Sequence, residues 1–133
     1  ETLFLNSFSM RSVNKVILMG YLGQDPTIKT VPGGRQVANF TVATNREWNS
    51  NGENHQIADF HKIVVWGKLA EISSQYLKKG SCVYIEGYLT NHNYKNKEGK
   101  NIKTTEVVAE VINFISYNKG KEGDEINLVE VKE

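Results

Sequence analysis

The sequence is poor in the residues and runs that most function classes require. It has a single cysteine, Cys82, so no disulfide forms within the chain, and no Cys/His set has zinc-site spacing. Between Ser81 and Val83 in an apolar pattern, that thiol reads as buried and inert, and one cysteine suits a reducing compartment. Apolar runs such as 63–66 are short, and nothing nears the roughly 20 residues of a membrane-spanning helix, so no membrane crossing is expected. The GxxxxGK[ST] and GxGxxG patterns are missing around Gly33-Gly34 and Gly67-Lys68, which excludes those phosphate loops. His55, His61 and His92 have no spacing that would bring two of them to one metal, and they read as surface or packing residues. Asp59 stands two residues from His61, but no cradled nucleophile accompanies them. A barrel-based metal-dependent phosphohydrolase would need converging acids, and Asp25, Glu47, Glu53, Asp59, Glu71, Glu86 and Glu98 are dispersed. The chain therefore reads as a non-enzyme with neither metal nor cofactor.

What is present fits one compact domain. The 133 residues are 39% apolar, 23% charged and 10% aromatic, and a chain of that size buries roughly two-thirds of its unfolded surface, enough for a core without staples. The net charge of +1 hides an asymmetry. Residues 11–103 carry 13 basic and 7 acidic side chains, a net of +6, whereas 104–133 carry 3 against 7, a net of −4. A basic body with an acidic end suits a domain that attracts a polyanion.

Period and punctuation give the elements. Residues 13–19 read as a strand ending at Gly20, and 27–31 as a short extended piece running into Pro32-Gly33-Gly34, a tight-turn signal. Residues 36–44 form a hairpin partner with Ala38, Phe40 and Val42 on one face, 47–58 read as a long mobile loop, and 60–66 as a third strand. The period then changes: Leu69, Ile72, Tyr76 and Leu77 share a helical stripe, which predicts a helix over 68–79 stopped by Gly80. Strands follow over 81–94 and 103–115, joined by an Asn/Lys/Gly-rich turn, and Ile126, Leu128, Val129 and Val131 suit a short extra strand. Three strands, one helix and two strands predict an all-β chain with one helix, the five-stranded Greek-key barrel of the oligonucleotide-binding (OB) fold, with a sandwich as the alternative. The domain is expected over 13–116, between an N-terminal extension (1–12) that looks like a processing stub and an acidic C-terminal segment (117–133).

Several aromatics lie where a core does not need them. Trp48 sits amid Arg46, Glu47, Asn49 and Ser50, and Tyr94 stands between Asn93 and Lys95 at a hairpin tip. Phe60, Lys62 and Trp66 share a strand face, where a cation between two rings makes a stacking platform with a phosphate contact built in; Val64 on the same face leaves barrel core as the other reading for each ring. Rings interleaved with cations suit unpaired nucleic acid, which offers one π-face and one phosphate per nucleotide. Arg46, Lys95 and Lys97 lie beside these aromatics and are candidate phosphate contacts.

The residues also resemble a known family. Val13-Asn14-Lys15-Val16-Ile17-Leu18, Gly23-Gln24-Asp25-Pro26, Val37-Ala38-Asn39-Phe40-Thr41-Val42-Ala43-Thr44, Trp66-Gly67-Lys68-Leu69-Ala70-Glu71, Tyr76-Leu77-Lys78-Lys79-Gly80-Ser81, Val83-Tyr84-Ile85-Glu86-Gly87 and Thr104-Thr105-Glu106-Val107 are similar, in order over about 13–115, to the bacterial-type single-stranded DNA-binding proteins. The resemblance implies a homotetramer of OB barrels that wraps and protects single-stranded DNA during replication, recombination and repair, without reading its sequence. It implies base stacking by Trp48, Phe60, Trp66 and Tyr94, with Phe60 and Tyr94 standing where relatives often have Trp. It implies phosphate contacts by Lys15, Lys29, Lys62, Lys68, Lys78 and Lys79, and a subunit interface including Asn14, Val16, His61 and Tyr84. An RNA-binding or primosome-type barrel is the alternative.

The departures limit the inference. Thr90, Asn91, His92 and Asn93 replace a segment that is often strongly basic, and Lys95, Lys97, Lys100 and Lys103 either compensate or only solvate the tip. The C-terminal stretch is acidic but ends Val131-Lys132-Glu133, not in a Pro-Phe tip, so recruitment of replication proteins through that tip is not carried over. Asn and Lys make up 27 residues, and Lys outnumbers Arg 13 to 3. That bias favours an organellar member, from a plastid, apicoplast or mitochondrion, with the bacterial cytoplasm as alternative.

Overall fold

Alternating apolar residues make strands, and strands dominate. A computed structural model describes residues 11–118 and 125–132, with side chains through 115. The elements are β1 (Val16–Leu22), β2 (Thr27–Thr30), β3 (Gln36–Ser50), β4 (Glu53–Trp66), α1 (Gly67–Tyr76), β5 (Cys82–Lys95), β6 (Asn101–Asn118) and β7 (Glu125–Lys132). β1 pairs antiparallel with β5, β5 with β6, and β4 with β3, while β3 returns to β1 through Tyr21↔Ala43 and Leu22↔Val42. The ring is closed by a parallel pairing of β4 with β6, Ile63↔Val107 and Val64↔Val108. A closed five-stranded barrel with one helix is the expected OB fold, and the parallel closure excludes the antiparallel sandwich.

Inward positions follow the two-residue period. Ala38, Phe40 and Val42 of β3, Ile63 and Val65 of β4, Val83 and Ile85 of β5 and Ile112 of β6 are all buried and meet in one core. Each large member contributes about 1.5–3 kcal/mol by leaving water. Strands cross closely at two barrel corners, where a side chain would collide with backbone: a Cβ on Gly20 would strike the Ala43 carbonyl, and one on Gly87 the Val108 carbonyl. Gly87 also faces a bulge in β6, where Glu110 is the extra residue between the Glu86↔Val111 and Gly87↔Ala109 pairs.

The helix is shorter than its predicted span. It stops at Tyr76 because Leu77 is extended, its N–H donating to the Ser73 carbonyl at 2.9 Å. The stripe also turns: Leu69, Ala70, Ser73 and Leu77 are buried, whereas Tyr76 is 67% exposed. Lys78 and Lys79 thus lie in the turn after the helix, where the Lys79 N–H donates to Asp25 Oδ1 at 2.7 Å.

The larger correction concerns 47–58, expected as a mobile loop. There β3 and β4 stay in register from Val37↔Trp66 to Ser50↔Glu53, forming a long arm that leaves the barrel. Asn51 and Gly52 close it with φ of 53° and 78°. Positive φ at both central residues is what a two-residue hairpin turn requires, and Asn-Gly is its strongest sequence signal. A second arm is built from β5 and β6, and Asn96 organises its turn: Oδ1 accepts the Glu98 and Lys100 N–H groups at 2.9 Å. β7 pairs with β6 from Val111↔Lys132 to Asn118↔Glu125, as the late apolar residues suggested. The N-terminal extension, save Arg11 and Ser12, lies outside the described residues.

Candidate nucleic-acid interface

The outer face of β4 is set by the core behind it. Because Ile63 and Val65 point inward, Phe60, Lys62, Val64 and Trp66 point outward along one line. Phe60 is 65% exposed and Lys62 is exposed, whereas Trp66 is half-buried and Val64 is covered. Neither ring belongs to the core cluster.

Neighbouring strands furnish this row. The Arg35 guanidinium, from the turn before β3, lies 4.7 Å from the Trp66 ring centroid, a cation–π contact that fixes one face of the indole. Lys29 of β2 pairs with Val37, which pairs with Trp66, so an exposed lysine continues the cationic flank. The Phe60 ring rests over Gly23: a Cβ there would lie 3.3 Å from the ring and 2.8 Å from Thr41 Oγ1. On the other side of Phe60 a groove of about 390 Å³ runs toward the second arm, bordered by Lys62, Leu89, Lys103 and Thr105. Phe60, Lys62, Trp66, Arg35 and Lys29 therefore form one platform, with Lys103 across the groove.

Trp48 and Tyr94 lie on the arms. Trp48, 47% exposed, pairs directly with His55, the two rings stacked at 5.3 Å and 20°. Trp48 and Ala43, the partner of Phe60, are five residues apart on an unbroken ladder, so Trp48 lies on the opposite face from Phe60. Tyr94, 53% exposed, pairs with Ile102 near the tip of the second arm, close to Lys95 and Lys97. Beside that tip His92 Nε2 lies 3.0 Å from Glu106 Oε1, and Thr105 Oγ1 donates to Asn91 Oδ1 at 2.9 Å. The four aromatics thus divide into two on the wall and one on each arm.

The candidate cations differ in how free they are. Lys29, Lys62, Lys68, Lys78, Lys79, Lys95 and Lys97 are exposed. Lys15 Nζ donates to Glu86 Oε1 at 2.8 Å, and that bond holds its ammonium above its ordinary pKa. Arg46 clasps Asp59 through Nε at 2.5 Å and its terminal amine at 3.2 Å, which keeps the Asp59 carboxyl below its ordinary value of 3.8. Both cations have a carboxylate partner, so a phosphate would have to share or displace it.

The residues expected at a subunit interface also separate. Val16 turns inward against the core. The Asn14 amide clips β5, donating to the Leu89 carbonyl and accepting its N–H, both at 2.9 Å. His61 Nε2 lies 2.9 Å from Thr44 Oγ1 at the barrel rim. Tyr84 donates to Glu86 Oε2 at 2.8 Å, a bond that raises its phenol above the ordinary pKa. Beside it stands an exposed apolar row, Ile17, Met19 and Tyr21, which alternation of β1 against Val16 and Leu18 could have disclosed.

Sequence reasoning passed over Arg35, which it did not single out, and His55, set aside as packing or surface; Lys103, weighed either as compensating for the missing basic segment or as solvating the tip, borders the Phe60 groove. His55 becomes visible only through cross-strand register. Among the described residues no three His, Cys, Asp or Glu side chains converge.

The model of the single-strand binding protein family matches residues 13–115. The structure is similar to that of Plasmodium falciparum SSB in complex with ssDNA, with 31% sequence identity, 92% of this chain and 99% of that chain covered, and a TM-score of 0.72.

Proposed function

Because the chain belongs to the single-strand binding protein family, we propose that it binds single-stranded DNA without reading its sequence, by stacking bases on the β4 wall and holding phosphates along the lysines beside it. The observation that carries this reading is the outward line of exposed Phe60 and Lys62 with half-buried Trp66, backed by Arg35 and Lys29, on a strand whose residues Ile63 and Val65 anchor the core. Stacking contributes about 1–3 kcal/mol per base and tolerates any base, since each has a π-face. Lysine contacts add a salt-sensitive part, about 0.7 in log affinity per neutralised phosphate and decade of salt. Trp48 and Tyr94 on the arms extend the track away from the barrel.

The protein acts by binding, as a homotetramer that wraps and protects exposed strands during replication, recombination and repair. Several barrels sharing one strand raise the effective concentration of each further contact. The Ile17, Met19 and Tyr21 row beside Tyr84 gives a second copy an apolar surface to cover. Abundant Asn and Lys favour action in an organelle.

Titrating poly-dT into the protein tests the reading. Quenched tryptophan emission, retarded electrophoretic mobility and a solution mass of four chains are expected. Unchanged emission and mobility would contradict DNA binding, and a monomer mass would contradict the assembly alone.

A further inference from the structure

His55 has an assignment that the wall platform does not supply. Every residue from Asn45 to Asn54 is exposed, so the arm gains little by burying a ring, yet the imidazole lies stacked against Trp48 at 5.3 Å. A shallow groove of about 440 Å³ opens at the pair, bordered also by Glu47, Asn49, Asn54 and Gln56. With one indole face covered by the imidazole and the residue 47% exposed, the other face is free for a flat ligand.

We infer that His55 is a nucleic-acid contact: it braces Trp48 for a stacked base and, once protonated, supplies the positive charge for that nucleotide's phosphate. The inference rests on the single-stranded DNA reading. The chemistry follows from the side chain, since imidazole is the group whose ordinary charge change falls between pH 5 and 8. An imidazolium over an indole is also a favourable cation–π pair, so protonation strengthens the brace and adds a charge together.

The charged groups around His55 come from both strands of the arm. On the same face of the ladder stand Arg46 and Asp59, clasped together, and Glu53; Glu47 alternates to the other face and also borders the groove. Because Arg46 holds the Asp59 carboxyl below its ordinary value, that pair keeps its charges through the pH range in which imidazole titrates. The remaining histidines are engaged elsewhere, His92 with Glu106 and His61 with Thr44.

The test measures oligo-dT affinity at pH 5.5 and 8.0 across a salt series. The unaltered protein is expected to bind about three- to tenfold more tightly at pH 5.5 in low salt, with a salt slope steeper by about 0.7, the increment for one more neutralised phosphate. His55→Phe keeps a ring without a charge and is expected to lose both increments, while His92→Gln retains them. In a Trp66→Phe background Trp48 is the only indole, and its emission in the free protein is expected to differ between pH 5.5 and 8.0 and to stop doing so in His55→Phe. If the unaltered protein binds DNA and His55→Phe shows the same pH increment and slope, the role of His55 is overturned while DNA binding stands. Failure of the unaltered protein to bind oligo-dT at either pH overturns the DNA reading and this inference with it.

Discussion

The β4 wall and the β3–β4 arm are made from the same two strands, yet they present aromatics in different ways. On the wall, Trp66 follows fully buried Val65, and Phe60, its ring over Gly23, stands on the strand that runs on to buried Ile63, so both rings stand on backbone that the core fixes. On the arm no core lies behind Trp48; ladder hydrogen bonds, the Asn51-Gly52 turn and the His55 stack hold it instead. On the proposed reading a wall ring would meet DNA on backbone that the core fixes, whereas an arm ring rests only on its ladder and the His55 stack, and any further ordering costs free energy that stacking has to exceed. Identical chemistry should therefore yield different affinities at the two places.

The comparison breaks most readily at the wall. Replacing Phe60 and Trp66 together with Ala is expected to weaken oligo-dT binding by on the order of 10²- to 10⁴-fold, two bases at about 1–3 kcal/mol each. Thermal unfolding should shift little, because neither ring is in the core. Equilibrium titration with parallel circular dichroism measures both. Trp48→Ala is expected to cost about tenfold or less in the same titration, and an effect equal to the wall pair would show that the arm is as well prepared as the barrel.

Smaller changes sharpen the contrast. Gly23→Ala would press on Thr41 and the Phe60 ring without touching the arm, and a several-fold loss of affinity with an unchanged core is expected. Gly52→Ala places a side chain at φ 78°, at a local cost of about 1 kcal/mol. Amide exchange should then quicken over 45–54 while the barrel core stays protected, and affinity should fall only a few-fold. The smallest effects concern single cations. Lys62→Gln is expected to flatten the salt slope by about 0.7, whereas Lys15→Gln, whose ammonium is bonded to Glu86, should leave the slope nearly unchanged.

Legibility in the sequence follows the same division. The barrel was readable because its core imposes period two on β3 and β4 and a helical period on Leu69 and Leu77, and because closure follows from strand order. Tyr76 misled, since a stripe drawn from spacing alone cannot distinguish the core face from its neighbour; the buried positions include Ala70 and Ser73. The arm was hidden for a physical reason: both of its faces meet water, so it carries no apolar alternation, and only the Asn-Gly turn marked it as a hairpin. His55 was obscured likewise, because it acquires Trp48 from register across strands. Lys15 and Arg46 read as free cations until the fold brought Glu86 and Asp59 to them.

Photo-crosslinking the intact protein to oligo-dT carrying 5-bromouracil, followed by mass spectrometry of the joined peptides, tests the central claim most directly. Crosslinks at Phe60 and Trp66, lost under excess unmodified oligo-dT, are the predicted result. Crosslinks confined to the Ile17, Met19 and Tyr21 face, with none on β4, would contradict the account.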